Sequence, residues 1–293
     1  MTYDLFYIGN FNSIISILHS DGSVVVTHGG IEMGQGINTK VAQVAAYILG
    51  VRLEKVSVKP SASFTSPNSM TTGASIGSEC VAFATMKACE ILLKRFEPIR
   101  AQMGKPSWEE LVEKAFKAGI DLQASHMYSS NDGVKPYFIY GVCALELEVD
   151  ILTGNHDVRR VDLLEDTGRS LSPEIDIGQI EGAFIMGLGY FTSEKTVYDT
   201  ATGKLLTDRT WTYKPPGIKD IPADFRVYFR RNGTNRYGVL QSKATGEPSL
   251  CMSSVVVHAL RQAVRASRLD AGLKDDWIEM GLPCTVENIF TAV

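Results

Sequence analysis

A carboxylate stands at a predicted helix start near the end of the chain, in the segment Gly246-Glu247-Pro248. Pro248 suits the first position of a helix, because that position needs no backbone donor. Glu247 would then lie at or near the N-cap, where the positive end of the helix dipole favours an ionised carboxylate. Such a carboxylate can act as a general base beside a metal-bound hydroxyl. By residue type alone, a capping glutamate without a catalytic role is the commoner case.

A glycine-rich loop at residues 28–36 precedes a predicted helix and contains Gly34-Gln35-Gly36. Glycines let a ligand approach the backbone closely, and the N–H groups at a helix start form an anion site that suits a phosphate. The Gly-Lys-Ser/Thr order of a Walker A loop is absent, and so is the third glycine of a dinucleotide fingerprint. A tight strand-to-helix turn explains the same residues equally well.

Two further segments have residue types that suit a polar heterocyclic ligand. Gly73-Ala74-Ser75 opens a run of small and hydroxylated residues just before a long predicted helix, where an ordinary N-cap is the plain alternative. Gln179 lies on a predicted helix between Gly178 and Gly182, and its amide offers both donors and an acceptor. A solvent-facing helix residue is the alternative there. The sequence alone does not bring these segments together.

The elements that must position these residues are hairpins mixed with helices. Predicted strands lie within 14–27 (paired around Gly22), 56–58, 138–150, 158–164 and 225–229. Predicted helices cover about 41–48 (ended by Gly50), a stretch ending near Arg95, 108–117, about 173–189 and 248–268. Since strands and helices do not alternate regularly, the pattern favours an α+β fold over a Rossmann sheet.

The overall composition narrows the class of protein. A chain of 293 residues can form one large domain or two smaller ones. A net charge of -4 gives no reason to expect nucleic acid or an anionic membrane as a partner. No apolar run reaches the roughly 18 residues of a membrane span, and the N-terminus lacks the pattern of a signal peptide. These features predict a soluble, cytoplasmic protein. The five cysteines form no Cys-x-x-Cys, so buried free thiols are expected rather than a zinc or iron–sulfur site.

Taken in order, four motifs resemble the C-terminal molybdenum region of the xanthine dehydrogenase and aldehyde oxidase family. They are residues 28–36, 176–184, 213–215 with 220–222, and 242–248. The resemblance runs from about Phe6 to the end. It implies that residues 1–293 form the C-terminal half of a molybdopterin-binding region, α+β in class, within a longer multidomain enzyme.

The resemblance also implies a molybdenum–molybdopterin cofactor and assigns residues of this chain to it. The implied cofactor-binding residues are Gly34, Gln35 and Gly36 at the pterin or its phosphate, Ala74 and Ser75 along the metal and pterin, and Gln179 on the pterin. Glu247 matches the glutamate that removes the proton from the molybdenum-bound hydroxyl. Two positions depart from the family pattern: Ser249 replaces a second proline, and Gly77 replaces a serine that can bond the cofactor.

Within the family, Ile31 and residues 37–40 and 213–217 resemble aldehyde oxidases of the insect type. That resemblance implies oxidation of aldehydes to carboxylic acids with oxygen derived from water. A xanthine dehydrogenase acting on purines is the alternative, and an inactive fragment or paralogue with a structural or dimerisation role is a third. In the full-length homodimer, 2Fe-2S clusters and FAD would be bound outside this chain. Because half of the molybdenum region is missing, we expect no activity from this piece alone.

Overall fold

The structure is a computed structural model that describes residues 1–3, 10–132 and 135–293. Phe6, near which the family resemblance begins, lies outside the described residues. The chain divides into two compact units, of which the first comprises residues 1–138, 167–175 and 232–244. The second comprises residues 139–166, 176–231 and 245–293. Both contain helices and sheets, so the predicted α+β class is confirmed.

The first unit is built on a four-stranded sheet. Its strands are β2 (Phe11–Ile17), β3 (Val24–His28), β4 (Val56–Val58) and β5 (Gln123–Tyr128), in the order β4-β3-β2-β5. The β3–β4 pair is parallel and the other two pairs are antiparallel. Buried and half-buried residues alternate along β2, as expected for a strand with one face in the core. The predicted hairpin at Gly22 is confirmed. A separate pairing joins β1 (Thr2–Tyr3) to β6 (Tyr137–Phe138).

Three helices complete the first unit: α1 (Ile37–Leu49), α2 (Phe83–Met103) and α3 (Trp108–Lys117). Gly50 ends α1 in a left-handed conformation, as predicted. A π-helical turn, Ser78–Ala82, leads directly into α2. The prediction that α2 ends near Arg95 is wrong, because the helix continues through Pro98. The buried side chains of Phe96 and Ile99 keep this stretch in the core and offset the hydrogen bond that Pro98 cannot donate.

The second unit has a three-stranded sheet, β7 (Gly141–Val149), β8 (His156–Glu165) and β9 (Asp224–Phe229), in that order. The predicted β7–β8 hairpin is confirmed, and β9 runs parallel to β8. Its helices are α4 (Pro173–Thr192, within this unit from residue 176), α5 (Gly246–Met252), α6 (Val255–Asp270) and α7 (Val286–Ala292). They close a core that contains Val161, Leu163, Phe184, Leu260 and Ile289.

The segment predicted as one helix over 248–268 forms two helices, α5 and α6. The buried Ser253 lies at the break, where its hydroxyl donates a 2.6 Å hydrogen bond to the Leu250 carbonyl oxygen. A serine side chain that bonds the preceding turn competes with the regular helical ladder. No helix among the described residues is long and apolar enough to cross a membrane.

Candidate functional site

The glycine-rich loop of the first unit is organised by a carboxylate of its own. Glu32 Oε1 accepts hydrogen bonds from the N–H groups of Gly34 (3.0 Å) and Gly36 (2.9 Å), and Oε2 accepts one from Asn38 (2.9 Å). Partial burial favours the protonated acid, but the three backbone donors outweigh it and hold the pKa of Glu32 below its ordinary value. Glu32 therefore accepts three of the backbone N–H groups around the start of α1 that the sequence suggested for a phosphate, namely those of Gly34, Gly36 and Asn38.

Gln35 is held inside the same loop. Its Nε2 donates to the Ile31 carbonyl oxygen at 2.7 Å, and its Oε1 accepts from the Met33 N–H at 2.8 Å. The amide thus links the backbone of Ile31 to that of Met33 and fixes the loop in one conformation. A ligand that binds Gln35 must use its second amide hydrogen or its second lone pair.

Gly36 is required by its backbone conformation and by the packing around it. Its φ is +80°, and a Cβ built there would lie 2.6 Å from Cδ1 of Ile175. Gly34, at φ +99°, shares the left-handed conformation, but a Cβ there would meet no atom within 4 Å.

We expect Gly36→Ala to lower the free energy of unfolding by about 3 kcal/mol, because it combines backbone strain with an overlap on Ile175. Gly34→Ala is the matched control and should cost only the strain, about 1 to 2 kcal/mol. Urea denaturation of both variants measures the difference. Equal losses would show that the contact with Ile175 does not determine this position.

Ala74 and Ser75 form a second special segment in the first unit. Both have left-handed backbones, with φ of 53° and 54°, which is unusual for two consecutive residues that are not glycine. The Tyr3 hydroxyl donates a hydrogen bond to the Ala74 carbonyl oxygen. Strain of this kind persists where the surroundings enforce it, which is typical of ligand-binding segments.

The loop and the 74–75 segment lie side by side within the first unit. The Ile31 N–H donates to the Thr72 hydroxyl at 2.9 Å. Farther along both segments, Gly77 approaches Ile37 at the start of α1, and a Cβ there would lie 3.4 Å from Cδ1 of that isoleucine. The structure therefore brings together the two predicted cofactor segments of this unit.

The second unit contains Gln179 and Glu247, the other two predicted positions, on two helices that a hydrogen bond joins. Gln179 lies on α4 and Glu247 on α5, and both are half-buried. Ser249 Oγ donates a 2.7 Å hydrogen bond to the carbonyl oxygen of Ile180, the residue after Gln179. The serine that departs from the family pattern therefore ties the two helices together. Within the part of the chain that the structure describes, the Gln179 amide has no hydrogen-bond partner.

Glycines let α4 approach its neighbour closely. A Cβ at Gly187 would lie 1.9 Å from Ser253 Oγ and 2.8 Å from the Leu250 carbonyl oxygen. Gly187 therefore serves the close packing of two helices. Because α4 continues to Thr192, the prediction that it ends around 187–189 is wrong by a few residues.

The helix start at Glu247 differs slightly from the prediction. Thr245 is the N-cap and Gly246 the first helical residue, so Glu247 is second and Pro248 third. Pro248 still removes no hydrogen bond from the helix, because a backbone N–H at the third helical position has no intrahelical acceptor. Glu247 therefore lies in the first turn.

The prediction that the cysteines are buried holds in part. Cys80, Cys89 and Cys284 are buried, Cys143 is intermediate, and Cys251 on α5 is exposed. Burial raises the pKa of both Cys80 and Cys89 to about 12. These two thiols are therefore protonated and unreactive at neutral pH.

The residues fit a planar, uncharged heterocycle better than a bare phosphate. A Cβ built at Gly34, Gly73, Gly178 or Gly182 would meet no atom within 4 Å, so the backbone beside each predicted cofactor residue faces open space. In the first unit the groups beside this open space belong to the backbone, and in the second unit they include the Gln179 carboxamide. Both kinds of group provide donors and acceptors for the alternating ring N and NH groups of a pterin.

A family model for the molybdopterin cofactor-binding domain matches residues 8–222 of this chain. The chain belongs to this family. The xanthine dehydrogenase/oxidase of Gallus gallus is 41% identical over 286 residues, which cover 94% of this chain and 21% of that protein. The indole-3-acetaldehyde oxidase of Arabidopsis thaliana is 42% identical over 263 residues, 87% of this chain and 20% of that protein. The chain thus spans about a fifth of the curated relatives that it matches.

Solved structures support the same fold. A reconstituted CO dehydrogenase from Oligotropha carboxidovorans has a TM-score of 0.80 at 20% identity, covering 96% of this chain and 37% of that one. The quinoline 2-oxidoreductase of Pseudomonas putida 86 has a TM-score of 0.77 at 24% identity, covering 97% and 38%. The mixed helices and sheets are therefore the fold of molybdenum hydroxylases, and the chain belongs to a family of molybdopterin oxidoreductases.

Sequence reasoning missed three carboxylates of this molybdopterin-binding chain: Glu32, Glu79 and Glu165. Glu32 lies inside the glycine-rich loop, where glycines are the more prominent signal. Glu79 and Glu165 are 3% and 0% exposed. No local pattern marks these two as buried, because polar residues adjoin both of them in the sequence.

Proposed function

We propose that this chain is the cofactor-binding part of a molybdenum hydroxylase that oxidises aldehydes to carboxylic acids. The hydrogen bond from Ser249 to Ile180 carries the proposal. It holds the helix of the proposed base, Glu247, against the helix of the proposed pterin ligand, Gln179.

In the first unit, the proposed cofactor contacts are Gln35 with the Gly34 and Gly36 backbones in the glycine-rich loop, and the backbone groups of Ala74 and Ser75 in the strained segment. In the second unit, the proposed contact is the amide of Gln179. When bound, a molybdenum–molybdopterin cofactor supplies the two-electron redox chemistry that inserts an oxygen from water into a C–H bond of the substrate.

Glu247 has the role of a base in this proposal. One of its carboxylate oxygens would accept the proton of the oxygen nucleophile that attacks the substrate, and the metal of a bound cofactor would supply the acidity of that nucleophile. Overall, aldehyde and water yield carboxylic acid, two protons and two electrons. The electrons leave through 2Fe-2S clusters and FAD bound elsewhere in a longer, homodimeric, cytoplasmic protein.

A purine substrate is the second candidate, because the Gallus gallus relative is named xanthine dehydrogenase/oxidase and is as similar as the plant aldehyde oxidase. Incubating the full-length protein separately with benzaldehyde and hypoxanthine in H₂¹⁸O separates the two. We expect labelled benzoate from the first and no hydroxylated purine from the second. Turnover of hypoxanthine alone would reject the aldehyde assignment, and no turnover with bound molybdopterin would favour a structural role for this chain.

A further inference from the structure

A chain of buried groups in the first unit holds the strained segment Ala74–Ser75 from two sides. Tyr137 Oη donates a 2.5 Å hydrogen bond to Glu79 Oε1 and accepts a 3.0 Å one from the Ala244 N–H. Tyr137 and Glu79 are 7% and 3% exposed. A hydrogen bond to a carboxylate in such a dry environment is worth more than one between neutral groups.

The ring of Tyr137 acts on the Ala74–Ser75 segment through a second tyrosine, Tyr3. It stacks on the ring of Tyr3, with centroids 5.4 Å apart and planes inclined by 21°. The two tyrosines are also direct partners in the β1–β6 pairing. Because the Tyr3 hydroxyl donates to the Ala74 carbonyl oxygen, this stack fixes one side of the strained segment.

Glu79 fixes the other side of the segment. It lies in the π-helical turn Ser78–Ala82, four residues after Ser75. π-helical turns are less stable than α-helical ones and occur frequently at functional sites. The hydrogen bond from Tyr137 therefore anchors a turn that the helix alone would not stabilise well. Burial and the neighbouring Glu79 charge both raise the pKa of Tyr137, so its hydroxyl remains a donor at all ordinary pH values.

We propose that Tyr137 is a positioning residue for the cofactor. Its ring, through Tyr3, and its hydroxyl, through Glu79, keep Ala74 and Ser75 in the left-handed conformation that presents their backbone to the pterin. No contact between Tyr137 and the cofactor is required. The inference rests on the proposed function, because it takes the 74–75 segment as part of the cofactor site.

The test is Tyr137→Phe in the full-length protein, which keeps the ring stack and removes both hydrogen bonds of the hydroxyl. Tyr128→Phe is the matched control: Tyr128 is also buried, and its hydroxyl lies near the thiol of Cys80, the residue next to Glu79. The readouts are molybdenum and pterin per protein after purification, the rate of pterin loss on dialysis, and the melting temperature of the cofactor-free form.

We expect Tyr137→Phe to lose pterin about tenfold faster than wild type, a change matching one lost hydrogen bond to a charged group. Tyr128→Phe should retain pterin, while both variants melt at similarly lowered temperatures. If Tyr137→Phe does not fold, Tyr3→Phe, which removes the hydroxyl that donates to Ala74, should show the same fast loss. Normal pterin retention in Tyr137→Phe, or equal loss in Tyr128→Phe, would overturn the positioning role. Absence of pterin from the wild-type protein would instead overturn the proposed function.

Discussion

Replacing Glu247 by Gln in the full-length protein should leave molybdenum and pterin bound while turnover falls by about three orders of magnitude or more. The amide keeps the size of the side chain and its place in the first turn of α5. It cannot accept the proton of the attacking oxygen, and general base catalysis of this kind contributes typically 10² to 10⁴-fold. Steady-state oxidation of benzaldehyde and metal analysis of the same preparation measure the two quantities.

The matched control for this variant is Glu287→Gln. Glu287 is also the second residue of a seven-residue helix in the same unit, α7, but it is exposed and forms a 3.9 Å ion pair with Lys195. It should keep both cofactor and turnover. Wild-type turnover in Glu247→Gln would reject the base assignment, whereas loss of molybdenum in that variant would make Glu247 a residue needed for cofactor retention.

Replacing Glu165 by Gln should remove a pH dependence from the stability of the chain. Glu165 ends β8, is fully buried, and neither carboxyl oxygen has a hydrogen-bond partner among the described residues. Burial, with the buried carboxyls of Asp176 and Asp166 nearby, raises its pKa to about 9. Arg230 forms an ion pair at 2.8 Å with Asp166 in the same unit. Because its pKa is about 9, the Glu165 carboxyl is uncharged in the folded chain at neutral pH.

The sign of the effect follows from proton binding. Between about pH 4.5 and 9 the folded chain holds the Glu165 proton and the unfolded chain releases it. The free energy of unfolding therefore falls as pH rises through this window, by at most about 1.4 kcal/mol per pH unit from this group. In Glu165→Gln this contribution disappears, so the variant should be the more stable protein at pH 8 and similar to wild type near pH 4.5.

Urea denaturation at several pH values measures this difference. Glu148→Gln on the neighbouring strand β7 is the control, because Glu148 is exposed and pairs with Arg159 at 2.7 Å. That variant should follow the wild-type pH dependence. If the free energy of unfolding changes with pH in the same way for wild type and Glu165→Gln, Glu165 is ionised in the folded chain.

Local patterns predicted most of the elements of both units. The hairpins at Gly22 and at 153–155, the end of α1 at Gly50 and the strands β4 and β9 follow from period and turn chemistry, which act between neighbouring residues. The errors fall where distant packing overrides the local preference. α2 continues through Pro98 because its side chains are buried, and α4 continues through Gly187 because another helix approaches there.

By itself the sequence determined the fold class, the family resemblance and the identity of the proposed site residues, because these depend on residue types in a fixed order. Only the tertiary structure decided how those residues are used. It showed that Glu32 accepts backbone N–H groups around the start of α1, that Gln35 is engaged by its own loop, and that Ser249 ties α5 to α4. Hydrogen-bond partners far apart in the chain are set by packing, and no local pattern encodes them.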